Sequence, residues 1–392
     1  PTGPQAKSCS VTSPHCIQIN LQEGFGGGEV YTRFVCRALV ELGWRVDLLV
    51  SEKSTAWRGF SLPGLQLRPV SAGSPITSQL PPAPAPVVTH TAIDSQLALE
   101  LAGERPLGGY MHMPLHERLP GSYGSYTRLF GVSQYVIDSA VGRGLVNVHP
   151  EPQYGVADLS TSHTGQARAL QKHSEYAWDQ RKIRDRLLGV LERQWRPLLP
   201  TENLSRKPGF SLGIVSRITP IKQFPALFSC LLPVLQARPD VNLEIFGAGG
   251  YASVRDLKRV LAPIKQQVRF WGHQSDMRSV YANLDCVLSG LPEKEALGLN
   301  LIEAQACGVA VLAVNAPPFT ETVEHEHGGF LYTDPRLDQA RDFSRQLDRL
   351  VTQQFLRDGR VQATHPSLAM AQRFSWESFK QRTERAMQAL IQ

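Results

Sequence analysis

Apolar residues along this chain form two series in which short continuous runs alternate with stretches of helical spacing. The run CIQINL (16–21) leads through a glycine-rich turn into EVYTRFVCRALVELG (29–43), where apolar residues recur every three or four positions and the pattern stops at a glycine. RVDLLV (45–50) follows at once, so strand, helix and second strand are expected in quick succession. The rhythm continues through PVVTH (86–90), IDSQLALELAG, LGGYMHM, RLFGVS and QYVIDSAV to VNVHP, with LPPAPAP (80–86) as a proline-rich connector.

A second series opens at FSLGIVSR (210–217). FPALFSCLLPVLQARP reads as a helix and VNLEIFGAGG as strand and turn, followed by VRFWG, MRSVYANL, DCVLSG, VAVLAV and GGFLY. Between roughly 159 and 207 the rhythm lapses: ARALQKHSEYAWDQRKIRDRLLGVLERQWRPLL reads as helical, basic and amphipathic, and SRKPG (205–209) as a hinge. Strands alternating with helices call for parallel sheets. The expected fold class is therefore α/β, with a disordered leader at 1–14, a Rossmann-like domain at 15–207 carrying a helical insert near 160–200, a second Rossmann-like domain at 208–372, and a closing helix at 373–392.

Composition agrees with this division. A chain of 392 residues exceeds what one core usually organises, and 42% hydrophobic with 19% charged residues is a soluble globular balance. No run approaches the roughly 18 apolar residues of a membrane span, nor does the start carry an apolar signal core. A cytoplasmic protein is expected, with peripheral contact at an anionic inner membrane face as the minority reading of the basic insert. The six cysteines, Cys9, Cys16, Cys36, Cys230, Cys286 and Cys307, are scattered without a C-x-x-C pair, which suits buried thiols in a reducing compartment rather than a disulfide framework or a zinc site.

A net charge of +6 favours a polyanionic partner: nucleic acid, an anionic membrane, or phosphorylated small molecules. The charge is dispersed and no stacking-aromatic or basic helix-turn-helix pattern occurs, so nucleic acid ranks last.

The chemistry gathers in a few loops. GFGGGE (24–29) sits between strand and helix, where backbone N–H groups can approach an anion. The dinucleotide fingerprint G-x-G-x-x-G fails because Glu29 occupies its third glycine position, although Asp47 stands where an acidic partner would. A tight turn is an equal reading of these glycines. Arg217 and Lys222 follow the first strand of the second series, at the carboxyl end where open α/β sheets bind ligands. Two cations there make a clamp for a diphosphate.

In PEKEALGLNLIEAQACG (292–308) a helix is expected to begin near Gly298–Asn300 and end at Gly308. Its positive N-terminus suits a diphosphate, whereas Glu295 and Glu303 suit hydroxyls, so a sugar is the natural ligand. The plain alternatives are a charged loop residue for Glu295 and a capping or salt-bridged helix residue for Glu303. His112 follows an apolar strand in the first series and is an even choice between structural and functional roles.

These residues together are familiar. SRITPIKQF, VNLEIFGAG, VRFWGHQSDMRSVYANLDCVL and above all EALGLNLIEAQACGVAVLAV resemble glycosyltransferase family 4, retaining enzymes of the GT-B fold that use nucleotide sugars, and Glu295 and Glu303 have the spacing of its E-x7-E motif. The resemblance implies two Rossmann-like domains facing each other across a cleft, with a C-terminal helix returning to the first. It also implies that Arg217 and Lys222 bind the donor diphosphate, Glu303 the ribose, Glu295 the sugar hydroxyls, and that the backbone of Ala296, Leu297, Gly298, Leu299 and Asn300 cradles sugar and phosphate. Gly26 and Gly27 would approach the diphosphate or acceptor, His112 would contact the pyranose, and the base would meet backbone near Gly247, His273 and Gln274.

Two departures stand out. APPFTETV (316–323) replaces the family's glycine pair before its PE-V stretch, and YGVADL (154–159) has Tyr154 and a displaced Asp158 in place of an NGVD stretch.

No Asp-x-Asp motif occurs, so no metal or other cofactor is expected; the leaving diphosphate would be neutralised by Arg217, Lys222 and the helix N-terminus. Expected partners are a nucleotide-sugar donor and a carbohydrate or lipid-linked acceptor, as in polysaccharide, lipopolysaccharide or glycolipid assembly. Rival readings are a nucleotide-sugar epimerase or a sugar phosphorylase in the same fold, a non-catalytic nucleotide-sugar-binding or membrane-surface scaffold, and, more distantly, an NAD oxidoreductase.

Overall fold

The computed structural model describes residues 13–355 and 366–392, except 25, 72–74, 82–83, 117–118, 158–169, 179–181 and 199–201. Most of the expected leader lies outside the described residues. The chain forms two compact units.

The first unit comprises residues up to Val132, Val136–Gln153 and Phe379–Gln392. It contains β1 (His15–Asn20), α1 (Gly27–Glu41), β2 (Arg45–Ser51), β3 (Leu65–Val70), β4 (Val87–Thr89), α2 (Ser95–Glu104), β5 (Leu107–Met111) and β6 (Arg128–Gly131), leading into α3 (Gln134–Val141). Its six parallel strands run β3-β2-β1-β4-β5-β6, with β1 registered against both β2 and β4. The strand order therefore reverses direction between β1 and β4. In such sheets the crevice beyond the carboxyl ends at that reversal is where ligands bind, and Gly26 and Gly27, which open α1, come directly after β1.

The second unit comprises Ser133–Tyr135 and Tyr154–Ser378. After α4 (Ile183–Trp195) come β7 (Phe210–Val215), α5 (Phe224–Gln236), β8 (Val241–Phe246), α6 (Tyr251–Leu261), β9 (Val268–Gly272), α7 (Met277–Ala282) and β10 (Cys286–Leu288). Next are α8 (Leu299–Ala306), β11 (Ala310–Val314), α9 (Phe319–Thr322), β12 (Glu324–His325), β13 (Gly328–Tyr332), α10 (Pro335–Asp338), α11 (Arg341–Phe355), α12 (Leu368–Arg373) and α13 (Trp376–Ile391), whose residues from Phe379 onward belong to the first unit. The seven strands run β12-β13-β11-β10-β7-β8-β9, all parallel, and the order reverses between β7 and β10. Continuous apolar strands such as FSLGIV, buried along their whole length, are what a sheet covered on both faces requires. Phe210, Leu212, Ile214, Phe228, Leu243, Ile245 and Trp271 share its core.

Four expectations need correction. The boundary at 207 falls instead between Gln153 and Tyr154, because Leu170 is buried in the second unit's core and the strand-like stretch after it is stitched to that unit. Gln171 bridges Asn203, and Tyr176 bridges Gly249. The same pairings make residues 170–178 extended rather than helical, so among the described residues the insert's helix is α4 and the short 3-10 turn Arg196–Leu198 after it. Nor is SRKPG a free hinge: Arg206 pairs with the buried Asp285, and Lys207 donates to the Gln266 carbonyl at 3.2 Å. Finally, the closing helix changes unit at Phe379 rather than at 373.

Candidate functional site

The site builds up from the reversal point of the second sheet. The loop after β7 carries Arg217 and Lys222, and the loop after β10 carries Glu295 into α8, so topology alone brings residues more than seventy positions apart to one sheet edge. Lys222 Nζ donates to Glu295 Oε2. Glu295 Oε1 also accepts from the Ala296 N–H at 3.2 Å. Arg217 is exposed and makes no side-chain hydrogen bond or ion pair among the described residues. The two cations expected to act alike therefore differ: one is held by a carboxylate and the other is open to solvent.

α8 begins where expected. Gly298, at φ +84°, takes the left-handed conformation at its N-cap, which a side chain would strain. The N–H groups of Leu297, Gly298, Leu299 and Asn300 have no hydrogen-bond partner among the described residues, as the first turn of a helix leaves them. Ala296 is more committed, since its carbonyl accepts from Ser133 Oγ at 2.5 Å. Ala296 and Leu297 are buried, and Leu299 and Asn300 half-buried.

Glu303 lies one turn into α8 and accepts from the Tyr281 hydroxyl at 2.7 Å. Burial raises its carboxyl above the ordinary range, with the Tyr281 hydrogen bond opposing that rise. Burial likewise pushes the Tyr281 hydroxyl well up, so tyrosine is the donor and the carboxylate the acceptor. Sequence reasoning missed Tyr281. Its only signal is an aromatic residue in an otherwise short helix, which reads as core.

Gly247 and Gln274 prove to have structural employment. The Gly247 N–H donates to Gly272 at 2.8 Å, and a Cβ at Gly247 would meet the Ser216 carbonyl oxygen at 1.9 Å. Gln274 is buried, and its amide donates to the carbonyls of Gln171 and Trp271, both at 2.9 Å. His273 is exposed and its imidazole is held below the usual range, by partial burial first and by His173 second.

The departure at Tyr154 also has a physical partner. Its hydroxyl donates to Glu321 Oε2 at 2.9 Å, and Glu321 further accepts from the N–H groups of Gln134 and Tyr135 at 2.7 and 2.8 Å. Glu321, inside the divergent APPFTETV stretch, is thus a positioning residue that the sequence alone did not single out.

In the first unit, His112 follows β5 and packs edge-on to Tyr31 with ring centroids 5.0 Å apart. It stacks on His90 at 5.7 Å, with a long 3.5 Å contact between ring nitrogens. Burial lowers the His112 imidazole to about 4, and His90, hydrogen-bonded to Gln18 at 3.0 Å, is driven well below the usual range by burial and by His112. Both rings are neutral at pH 7, when each keeps one donor and one acceptor nitrogen. The N-cap of α1 at Gly26 has no side-chain cap, so the N–H groups of Gly27 and Gly28 are placed to meet solvent or an anion.

Residues 199–364, which fall within the second unit, match the family described as glycosyl transferases group 1. A GDP-mannose-dependent monoacylated alpha-(1-6)-phosphatidylinositol monomannoside mannosyltransferase of Corynebacterium glutamicum is 33% identical over 150 residues, 34% of this chain and 39% of that protein. The D-inositol 3-phosphate glycosyltransferase of Rhodococcus erythropolis is 30% identical over 234 residues, 56% of this chain and 50% of that protein. The chain thus spans at most half the length of these curated relatives. Among solved structures, Anabaena HepE in complex with UDP-glucose superposes with a TM-score of 0.66 at 16% identity, covering 96% of this chain and 99% of that one. The fold is the two-domain α/β GT-B fold.

Proposed function

We propose that the chain is a glycosyltransferase that moves a sugar from a nucleoside-diphosphate sugar to an acceptor hydroxyl, retaining the anomeric configuration and needing no metal. The observation that carries this reading is the arrangement on α8: unpartnered N–H groups at its start, the Lys222–Glu295 pair beside them, and a buried carboxylate, Glu303, one turn further in.

Glu303, oriented by Tyr281, accepts hydrogen bonds from the ribose. Buried carboxylates need such donors to stay charged. The diphosphate lies against the N–H groups of Leu297 to Asn300, where the helix dipole favours negative charge. Lys222 has three donors and gives one to Glu295, so two remain for the phosphate oxygens. Arg217, exposed beside it in sequence, adds a second cation. As the bond to the sugar breaks, charge grows on the leaving diphosphate, and these groups stabilise it without a metal ion. Glu295 orients a sugar hydroxyl, and the leaving phosphate oxygen takes the acceptor's proton. His112 is a neutral hydrogen-bonding group for a sugar hydroxyl, and the backbone of Gly26 and Gly27 a donor to an anion. A cytoplasmic enzyme of polysaccharide, lipopolysaccharide or glycolipid assembly fits this chemistry, and the relatives above are named for a phosphatidylinositol monomannoside and for D-inositol 3-phosphate.

Calorimetric titration with UDP, GDP and ADP in EDTA tests the donor site. One nucleotide should bind with micromolar affinity, and Glu303→Ala should weaken it about tenfold, roughly 1.4 kcal/mol. Absence of binding by all three, or binding indifferent to Glu303→Ala, would contradict the reading.

A further inference from the structure

α4 packs in the reverse of the usual sense. Its inward face carries Asp185, Gly189 and Glu192, all buried. Its outward face carries Ile183, Leu187, Val190, Leu191 and Trp195, followed by Leu198, each between 42% and 82% exposed. A helix normally turns its apolar stripe to the core.

This orientation is fixed by a built polar network rather than by default. Glu192 accepts from Ser174 Oγ at 2.6 Å and from Arg196 at 2.7 Å, and the Trp178 indole N–H donates to the same carboxylate. Gly189 admits the Trp178 ring, which would stand 3.0 Å from a Cβ at that position. Rotating α4 to bury its leucines would strand a carboxylate and break these bonds, at a cost typical of buried charge. The apolar stripe is therefore held outward.

The charges on the exposed side all have one sign. Lys182, Arg184, Arg186 and Arg193 are exposed, whereas the two acidic residues of the helix face inward. Arg184 reaches back to Asp185 at 3.2 Å and lies over the Tyr251 ring. An exposed stripe of leucine, isoleucine and tryptophan on a helix whose own exposed charges are all cations is the pattern of a helix lying in the plane of an anionic lipid surface, with the long basic side chains reaching headgroups. A second copy of the chain suits it less, because a two-fold contact would set the same arginines against one another.

We propose that α4 is a membrane-surface anchor that seats the second unit on anionic lipid. This inference does not depend on the glycosyltransferase reading. Its test is sedimentation of the full chain with phosphatidylglycerol–phosphatidylcholine vesicles and with pure phosphatidylcholine vesicles, at low and high salt. The chain should bind the anionic vesicles, less so in high salt, and Leu187→Glu with Leu191→Glu should weaken binding by about tenfold or more. Since both leucines are exposed, the circular dichroism spectrum should be unchanged. Lys182→Glu with Arg186→Glu provides an independent arm and should also weaken binding. No binding by the native chain, or binding indifferent to both pairs, would overturn the proposal. So would a concentration-dependent dimer, dissolved by the leucine pair, in a chain that ignores vesicles.

Discussion

Lys222→Met is expected to lower turnover about a hundredfold, with a smaller change in donor KM. The leaving nucleoside diphosphate gains negative charge only as the glycosidic bond breaks, so a cation aimed at it acts more on the transition state than on the bound donor. Removing one preorganised charged donor from such a site costs on the order of 3 kcal/mol, which is about two decades in rate. In the proposed mechanism Lys222 is that donor because Glu295 fixes its position, while Arg217 is exposed and must spend side-chain freedom to engage. Methionine keeps the stem's length and apolar character, so loss of packing does not confuse the result. Lys222→Arg should recover part of the activity by restoring charge without the same geometry. Steady-state rates that separate kcat from KM check this, and a variant with unchanged kcat would remove Lys222 from the chemistry.

Gly247→Ala is expected to destabilise the second unit by on the order of 3 kcal/mol, whether or not nucleotide is present. Gly247 has φ +141°, a region side chains rarely adopt, and the added Cβ would stand 1.9 Å from a backbone oxygen that cannot swing aside. Backbone strain and overpacking each contribute roughly 1–3 kcal/mol. Gly250→Ala is the control: its φ is −62° and nothing lies within 4 Å of the new methyl. Urea unfolding followed by tryptophan fluorescence should separate the two, with the Gly250 variant close to the native midpoint. Equal midpoints would show that the turn after β8 relaxes freely.

Much of the fold was legible because strands covered on both faces are mostly apolar, with an occasional paired polar residue such as Asp47 or Glu244. RVDLLV, FSLGIV, VNLEIF and VAVLAV all declare themselves in this way, and their strands fall within a residue or two of the expected runs. β3 was not recognised. Its sequence LQLRPV includes a proline and is mostly half-exposed, as an edge strand tolerates and a periodicity argument discounts. The stretch 170–178 misled for the opposite reason: local composition favours a helix, but the backbone pairing of Gln171 with Asn203 and of Tyr176 with Gly249 outweighs that preference.

In the site, the start of α8 could be read from Gly298, Lys222 and Glu295 were candidates from their loops after strands, and Glu303 from its place one turn into α8. Their partners could not. The Lys222–Glu295 pair spans 73 positions and the Tyr281–Glu303 bond spans 22, and no local pattern encodes either. Gln274 and Gly247 were legible as residues of interest but not as structural ones, because their work is done on backbone atoms of distant segments. The inward polar face of α4 was invisible for a related reason. An amphipathic helix announces its two faces in the sequence but not which of them the fold will bury.

The central claim is transfer of a sugar from a nucleoside-diphosphate donor with retention. Its most direct test is proton NMR of the chain incubated in EDTA with the sugar conjugate of whichever nucleotide binds, together with lipid-linked and soluble sugar acceptors. Retaining transfer requires release of nucleoside diphosphate and a product whose anomeric coupling matches that of the donor. A product of inverted configuration would contradict the mechanism, and no release of nucleoside diphosphate with any acceptor would contradict the function itself.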